Sequence, residues 1–332
     1  MNVPGLGWGV LGFGWVARDF AAPAMLAAGG RLAAIADPDL RSRQAGVALG
    51  ARAHADMAAL LDDPGVQAIY VATPNHLHRA GVEAAAAAGK PVLCEKPMAA
   101  TLADAEAMAS TIRAAGIPYG TAFDQRHHPA HAAMREAIAA GAIGTVTAIR
   151  IAYACWVDAG FASDNWRADP ERAGGGAMMD LAPHGLDLID FLLGEPVAEV
   201  AALTQRRVQP YAVDDGAMLI GRTGGGVLAS LHIAYNCPEG LPRRRLEVLG
   251  STGQLLAENT MGQTAGGTVW HVDGGTGLRT PLLVPDAATS PFTRQMAAFA
   301  RHVLTGPEPA FSLARDLHTM RLLHRAYGMA SS

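Results

Sequence analysis

Lysine is so rare in this chain that each one is a candidate for chemistry. Of the 26 lysine and arginine residues, only Lys90 and Lys96 are lysine. A lysine ammonium is compact and its pKa shifts readily on partial burial, which suits proton transfer and contact with a reacting hydroxyl group. Lys96 lies in the sequence CEKP (residues 94–97), after a short apolar run, whereas Lys90 follows Gly89 at a predicted helix end. We therefore expect Lys96 to be the functional lysine.

A second group of polar residues lies in the other half of the chain. Three glycines (residues 174–176) precede Asp180, His184 and Asp187, and the intervals of four and three residues place these side chains on one helical face. A carboxylate four residues from a histidine can orient the imidazole and hold its protonation state. A purely structural Asp–His pair explains the pattern equally well. Pro183 is tolerated if the regular helix begins only near Asp180, which places the proline in the first turn.

A glycine-rich turn opens the first predicted helix. The sequence GFGWVA (residues 12–17) follows the first predicted strand and has the form GxGxxA. The first glycine permits a tight turn, the second lets the backbone approach a pyrophosphate at the helix N-terminus, and the small alanine allows close packing of helix and strand. The predicted dinucleotide contacts in this turn are Gly12, Phe13, Gly14, Trp15 and Val16.

The residue that ends the second predicted strand indicates which dinucleotide binds. A carboxylate at Asp37 would bind the adenosine ribose hydroxyls and repel a 2′-phosphate, which favours NAD over NADP. Arg41 and Arg43 could pair with a phosphate, so NADP stays possible. The less favoured interpretation of Asp37 is a turn residue before Pro38.

Loops after two later strands supply further predicted cofactor contacts. Thr73 and Asn75 lie at the end of the third main strand, with His78 close behind, and Glu95 and Lys96 end the next strand. Ligands of open α/β sheets bind outside these strand ends. Asn75 could instead cap the helix that follows, and both roles are compatible.

The remaining candidates lie in the second half of the chain. Three residues are candidates for substrate contact, namely Arg126, Trp166 and Arg167. A packed loop anchor explains the Trp–Arg pair about equally well. Histidines also occur at positions 127, 128 and 131, but no cysteine or carboxylate set completes a metal site there. We expect no bound metal, and an exposed helix start at Pro129 explains these histidines better.

The order of predicted elements divides the chain into two domains. Residues 1–121 alternate short strands and helices, including a helix over 15–28, which predicts a Rossmann domain with a parallel sheet covered on both faces. Residues 122–332 predict an α/β domain with a large open, mainly antiparallel sheet, a hairpin turn at the glycines 224–226 and one helix over 177–193. We expect the C-terminal helix to pack back on the first domain.

Composition excludes several classes of protein. The formal charge of −4 and the lack of a long basic run argue against nucleic acid as a partner. Three widely spaced cysteines indicate reduced thiols in the cytoplasm. The N-terminus lacks a signal-peptide pattern, and the alanine-rich stretch over 80–88 contains Glu83 and is too short to span a bilayer. We expect a cytoplasmic protein without a membrane partner.

Together these motifs resemble the glucose–fructose oxidoreductase, inositol dehydrogenase and MocA-like family. The resemblance covers nearly the whole chain and rests on the TPN sequence (residues 73–75) with the histidine at 78, on CEKP and on the GGGxxxDxxxHxxD run. It implies bound NAD or NADP, a second domain that often forms a dimer or tetramer, and three residues that act on a sugar or polyol. By position these are Lys96, Asp180 and His184. A glycine common in the family two residues before the histidine is Ala182 here.

The resemblance also implies a reaction. In the oxidation direction, His184 would accept the hydroxyl proton, Lys96 would hydrogen-bond the same oxygen, and Asp180 would position the substrate or the ring. The predicted function is that of an NAD(P)-dependent dehydrogenase or reductase acting on a sugar, cyclitol or related compound. Two alternatives stay open: a redox-assisted glycosidase or lyase using bound NAD, and a non-catalytic sugar- or dinucleotide-sensing regulator. A homodimer or homotetramer is expected, because one sheet face would otherwise expose a broad apolar surface.

Overall fold

A computed structural model describes residues 5–158, 160 and 165–330, which form two compact units. The N-terminal unit comprises Met1–Ala122 and Phe292–Leu317, and the C-terminal unit comprises Phe123–Pro291 and His318–Ser332. No helix in the described part of the chain is long and apolar enough to cross a membrane.

The elements follow the chain in a simple order. The strands are β1 (Gly7–Leu11), β2 (Arg31–Ala36), β3 (Arg52–His54), β4 (Ala68–Val71), β5 (Val92–Cys94), β6 (Tyr119–Thr121), β7 (Val146–Ala154), β8 (Val197–Gln205), β9 (Gly216–Thr223), β10 (Leu228–Ala234), β11 (Arg244–Gly250), β12 (Gly253–Glu258), β13 (Thr268–Asp273) and β14 (Arg279–Pro281). The α-helices are α1 (Ala22–Ala27), α2 (Leu40–Ala48), α3 (Met57–Asp62), α4 (His78–Ala87), α5 (Leu102–Ala115), α6 (Pro129–Ala139), α7 (Pro170–Ala173), α8 (Ala177–Leu193), α9 (Pro291–Leu304) and α10 (Leu313–Ala330).

The N-terminal unit is built on a six-stranded parallel sheet. Its strand order is β3-β2-β1-β4-β5-β6, and every neighbouring pair is parallel. Strands β4 and β5 are buried throughout, as expected for a sheet covered on both faces. Helix α9 belongs to this unit, and its Phe299 packs on Trp8 of β1 with ring centroids 5.6 Å apart. The predicted Rossmann-type sheet is confirmed.

The C-terminal unit is built on an eight-stranded sheet in the order β14-β13-β12-β11-β7-β10-β9-β8. Strands β10 and β7 are parallel, and the other neighbouring pairs are antiparallel. Helix α8 packs on β7 to β10, and a Cβ at Gly185 would lie 2.5 Å from Leu231 Cδ2, so glycine permits the close approach. The mainly antiparallel sheet and the hairpin turn before β10 are as predicted.

Some elements differ from the sequence-based expectation. Strands β3, β13 and β14 were not predicted; β14 is exposed throughout, so pairing rather than an apolar pattern defines it. The helix expected over 15–28 starts at residue 15 as predicted, but it contains a π-helical turn at Ala17–Ala21 before α1. Pro23 lacks an amide hydrogen and cannot donate to the carbonyl of Asp19, which explains the widened turn.

Candidate active site

The glycine turn after β1 has the geometry of a phosphate-binding turn. Gly12 has φ +84°, and a Cβ there would lie 2.9 Å from the Ala72 carbonyl and from the Thr73 nitrogen. A Cβ at Gly14 would meet nothing within 4 Å, so this glycine borders open space. The turn therefore needs glycine at its first position for its own conformation, and it leaves its second position accessible to a ligand.

The other predicted residues of this turn differ in exposure. The Phe13 side chain is buried in the core, so only its backbone is available to a cofactor. Trp15 is exposed and Val16 is half-buried.

Asp37 both stabilises the turn and remains placed for a ribose. Its Oδ2 accepts the Phe13 amide at 2.7 Å, and its Oδ1 accepts the Asp39 amide at 2.8 Å. Arg43 donates to the carbonyls of Asp37 and Pro38, both at 2.8 Å, whereas Arg41 is exposed. Because a carboxylate offers about four acceptor sites, two backbone bonds leave capacity for ribose hydroxyls. These residues fit a bound dinucleotide.

A buried histidine ties together two loops of the N-terminal unit. The two ring nitrogens of His78 each lie 3.0 Å from a backbone carbonyl oxygen, one of Thr73 and one of Pro97. Burial lowers the pKa of His78 to about 4, so the ring is neutral near neutral pH. Asn75 is buried and begins the short 3₁₀ turn (Asn75–Leu77) before α4. His78 therefore supports the loop of the TPN sequence and the CEKP segment, rather than being exposed to a cofactor.

The two lysines have different surroundings. Lys90 donates from Nζ to the carbonyl of Val66 at 2.7 Å, which is a structural contact. Lys96 is half-buried, and its backbone amide donates to Glu95 Oε2 at 3.3 Å. Glu95 also accepts the hydroxyl of the buried Tyr70. The carboxylate next to Lys96 is thus anchored in the core of the N-terminal unit.

In the C-terminal unit, the glycine run builds the start of α8. A Cβ at Gly176 would lie 2.1 Å from the Asp214 carbonyl oxygen, so glycine is required there. The amides of Gly176 and Met178 each donate to the Asp214 carboxylate at 2.8 Å. The Tyr327 hydroxyl accepts the Met179 amide and donates to Asp214, both at 2.9 Å. These contacts satisfy amides that a helix start leaves without intrahelical partners.

This construction overturns the expectation for Pro183. Helix α8 begins at Ala177 rather than near Asp180, so the proline lies in the helix interior. Because the helix start is held by distant side chains, one missing backbone donor is tolerated there.

Asp180 contacts a tyrosine from the sheet. Its Oδ2 accepts the Tyr235 hydroxyl at 2.6 Å. Burial raises the pKa of Tyr235 well above its usual value, the Asp180 charge adds to this, and the Arg167 charge opposes it. The Arg167 guanidinium stacks on Trp166 at 4.4 Å from the ring centroid. Of the predicted residues of the C-terminal unit, Asp180 therefore contacts Tyr235 directly, and the Arg167 charge acts on the pKa of the same tyrosine.

His184 faces a carboxylate that the sequence reasoning missed. Its Nδ1 lies 3.3 Å from Oδ1 of Asp124, and both side chains are buried. The ring of Tyr153 packs edge-on against the imidazole, with centroids 5.6 Å apart. The available signal was an acidic residue in the sequence FDQR (residues 123–126), which closely follows the short apolar stretch that forms β6.

Asp187 and Arg126 form a buried ion pair. The Arg126 Nε lies 2.7 Å from the Asp187 carboxylate, and its Nη2 lies 3.8 Å from Asp190. The guanidinium also lies over the Phe191 ring, 5.6 Å from its centroid. Arg126 thus fixes the short 3₁₀ turn Asp124–His127, here called the 124–127 turn, to α8. The suggested contact of Arg126 with substrate stays a prediction.

The expectation of exposed histidines before α6 is wrong. His128 and His131 are both fully buried. His128 caps the helix by accepting the Ala130 amide, and His131 lies between the Gln125 carbonyl and the Thr260 hydroxyl, at 2.8 and 3.0 Å. The His128 ring therefore stabilises the start of α6, and the His131 ring holds the 124–127 turn through the Gln125 carbonyl.

The parallel sheet and the glycine turn after β1 define a class of protein. A parallel sheet with a GxGxxA turn after its first strand and an acidic residue after its second is the dinucleotide-binding arrangement. Residues 6–123 match the family model described as "Oxidoreductase family, NAD-binding Rossmann fold", and residues 131–256 match the model of the GFO/IDH/MocA C-terminal domain. The chain is also 33% identical over 323 residues to 1,5-anhydro-D-fructose reductase of Ensifer adhaerens, with 95% of each chain covered. The protein belongs to the GFO/IDH/MocA family and is an NAD(P)-dependent oxidoreductase.

Solved structures agree with this assignment. An aldose-aldose oxidoreductase from Caulobacter crescentus, complexed with glycerol, superposes with a TM-score of 0.88 at 27% identity and 98% coverage of both chains. An oxidoreductase from Agrobacterium radiobacter, in complex with NAD+, L-tartaric acid and magnesium, has a TM-score of 0.82 at 26% identity, covering 98% of this chain and 96% of that one. The family resemblance, the fold class and the cofactor class predicted from sequence are confirmed.

Proposed function

We propose that the protein transfers a hydride between NAD and a carbon of a sugar, cyclitol or related polyol that carries a hydroxyl or keto group. The observation that carries this proposal is the buried His184, which lies on α8 one turn after Asp180. Its imidazole lies beside the carboxylate of Asp124. The names of the similar proteins, a reductase of an anhydrofructose and an aldose oxidoreductase, support a carbohydrate substrate.

The dinucleotide supplies, when bound, the nicotinamide carbon that accepts or returns the hydride. The glycine turn at Gly12 and Gly14 offers backbone amides to its phosphates, and Asp37 offers acceptors to its ribose. Asp37 supports NAD as the preferred form, while the exposed Arg41 keeps NADP possible.

In this proposal the protein's own groups manage one proton. His184 accepts the proton of the substrate hydroxyl during oxidation and returns it during reduction. Asp180, braced by the Tyr235 hydroxyl, orients the substrate, with Trp166 and Arg167 as further contacts. Lys96 hydrogen-bonds the reacting oxygen and stabilises the negative charge that develops on it.

A substrate panel tests the proposal. Sugars, anhydro sugars and cyclitols are offered with NAD and with NADP, and the reduced nicotinamide is followed by absorbance. We expect turnover with at least one polyol, and His184→Ala should lower kcat by about 100-fold or more. Conversion of a substrate without accumulation of reduced nicotinamide would favour the lyase or glycosidase alternative. Binding without any turnover would favour the sensing regulator.

We further propose that the open sheet face joins two copies of the chain. Four apolar side chains from β8, β9 and β10 are more than half exposed there: Leu203, Met218, Ile220 and Leu228. A groove of about 770 Å³ runs across β7 to β10 near Met329 of α10. An apolar sheet face of this extent is typical of an interface rather than of a solvated surface.

The oligomer proposal has a direct test. Sedimentation at micromolar concentration should show a dimer or tetramer, and Ile220→Asp should shift it towards monomer. Leu283→Asp, a substitution at an exposed leucine outside these strands, is the matched control and should leave the oligomer intact. A wild-type monomer would refute the proposal.

The few, widely spaced cysteines support a cytoplasmic location.

A further inference from the structure

We propose that Asp124 is a positioning residue that fixes the tautomer of His184, with a proton on Nδ1 and the lone pair on Nε2. The inference deepens the proposed function and rests on its assignment of His184 as the proton acceptor. It gives the histidine a carboxylate partner from a turn remote in sequence from α8.

The first support is the contact itself. Oδ1 of Asp124 lies 3.3 Å from Nδ1 of His184, which is ion-pair distance although the two atoms are not aligned as a hydrogen bond, and both side chains are about 95% buried. A neutral imidazole carries one proton, and the nitrogen beside a carboxylate is the one that keeps it. Nε2 is then the nitrogen able to accept a proton from a substrate hydroxyl.

The second support is that Asp124 is itself held in place. Its Oδ2 accepts the side-chain amide of Gln125 at 2.9 Å, and the same amide donates to the Gly262 carbonyl at 2.9 Å. The backbone carbonyl of Gln125 is 2.8 Å from a ring nitrogen of His131. The two carboxylate oxygens of Asp124 therefore have different partners, and the carboxylate cannot rotate without losing one of them.

The third support is that each carboxylate on or beside α8 has a different partner. Asp187 pairs with Arg126 at 2.7 Å, and Asp180 accepts the Tyr235 hydroxyl at 2.6 Å. Asp124 is the carboxylate whose described ion pair is with His184. The described contacts of the imidazole with ionisable side chains are thus with Asp124 from the turn and with Tyr153 from β7.

A carboxylate in this position has a second effect during the reaction. When His184 takes up the hydroxyl proton it becomes an imidazolium, and the adjacent negative charge stabilises that state. Replacement of such a carboxylate by the isosteric amide costs a serine protease about 10⁴-fold in kcat, because the amide favours the wrong tautomer.

Asp124→Asn tests the inference without a large change in shape. We expect kcat to fall by two or more orders of magnitude while the Kd for NAD stays within about threefold. The apparent pKa on the acidic side of the oxidation profile should shift downwards, because the imidazolium loses its partner. Asp124→Glu, which keeps the charge, should recover part of kcat. Asp187→Asn is the matched control: it removes the same charge from the Arg126 pair and should lower Tm without shifting the pH profile.

A readout independent of turnover separates this inference from the proposed function. Nitrogen chemical shifts of labelled histidine, assigned by comparison with His184→Ala, report the tautomer directly. The Nδ1–H form in the wild type and its loss in Asp124→Asn would support the inference, even if no polyol is turned over. An Nε2–H form in the wild type would overturn it. If His184→Ala is impaired but Asp124→Asn retains the wild-type kcat and pH profile, the inference fails while the proposed function stands.

Discussion

Two glycine clusters of this chain, at residues 12–14 and 174–176, each precede a helix but have different surroundings. Gly14, in the turn after β1, borders open space. Gly176, before α8, packs against the Asp214 backbone, and Asp214 also accepts amides at that helix start. Both clusters solve the same problem, since every helix N-terminus carries unsatisfied amides. The comparison shows that a helix start whose glycine borders open space is accessible to a ligand, whereas one whose glycine packs against protein backbone is structural.

The largest expected effect tests whether Lys96 of the N-terminal unit contributes to catalysis rather than to the stability of the fold. Lys96→Arg and Lys96→Ala should each lower kcat by about 100-fold or more, because a guanidinium is larger and too basic for proton exchange near neutrality. Tm and the Kd for NAD should change little. Lys90→Arg is the matched control and should be nearly silent, since an arginine can also donate to the Val66 carbonyl. Full activity in Lys96→Arg would leave Lys96 without a catalytic role.

A pair of alanine substitutions tests the glycine comparison itself. Gly176→Ala should destabilise the protein by about 3 kcal/mol, because its Cβ would overlap backbone atoms of Asp214. Gly14→Ala should leave the free energy of unfolding within about 0.5 kcal/mol, yet weaken NAD binding by hindering the approach of the pyrophosphate. Thermal unfolding and a fluorescence titration with NAD measure the two effects. Equal loss of stability in both variants would contradict the distinction.

Acid should destabilise both units through their buried histidines. Burial lowers the pKa of His78 in the N-terminal unit to about 4 and that of His131 in the C-terminal unit to about 3, from the usual 6.5. The unfolded chain therefore binds more protons below pH 6.5, and the stability from these neutral rings is lost as the pH falls towards 4 and then 3. Each group contributes a slope of at most about 1.4 kcal/mol per pH unit.

The dependence of Tm on pH measures this effect. His131→Gln should flatten the fall between pH 6.5 and 4, whereas His76→Gln, at an exposed position, should leave it unchanged. A wild-type Tm that does not fall over this range would count against neutral buried histidines.

The smallest expected effect concerns the cofactor. We expect NAD to bind about tenfold more tightly than NADP, because the negatively charged Asp37 carboxylate would repel the 2′-phosphate of NADP. Fluorescence titrations with both dinucleotides measure the ratio, and Asp37→Ser should reduce it. A preference for NADP in the wild type would instead implicate Arg41, since Arg43 donates to two backbone carbonyls.

Local sequence patterns predicted most of the elements. The helix predicted over 177–193 has those bounds as α8, because apolar periodicity acts within a few positions. The exposed edge strand β14 was missed, because its stability comes from pairing with β13. The prediction of the first helix was only partly correct, because it did not include the effect of Pro23 on the preceding turn.

The candidate site was predictable only in part, for the same physical reason. The turn at Gly12 and the residue Asp37 lie close in sequence, so their joint role could be inferred from spacing. Asp124 faces His184 across 60 residues of chain, and Asp214 accepts the Gly176 amide across 38. Such pairs are set by the sheet and its helix together, and a single sequence does not show which distant carboxylate a given histidine meets.

The parallel pairing of β7 with β10 has a consequence for how this protein folds. The chain leaves β7 in the middle of the sheet, forms α8, continues through β8 and β9, and returns as β10 beside β7. Closing that loop joins residues about 80 positions apart, and contacts of such high sequence separation form slowly because loop entropy is lost before the pairing compensates for it. Helix α8 packs on the strands that this closure joins, so His184 and Asp124 should come together late in folding. Proton-transfer competence should therefore recover more slowly than helical content when the unfolded chain is returned to native conditions.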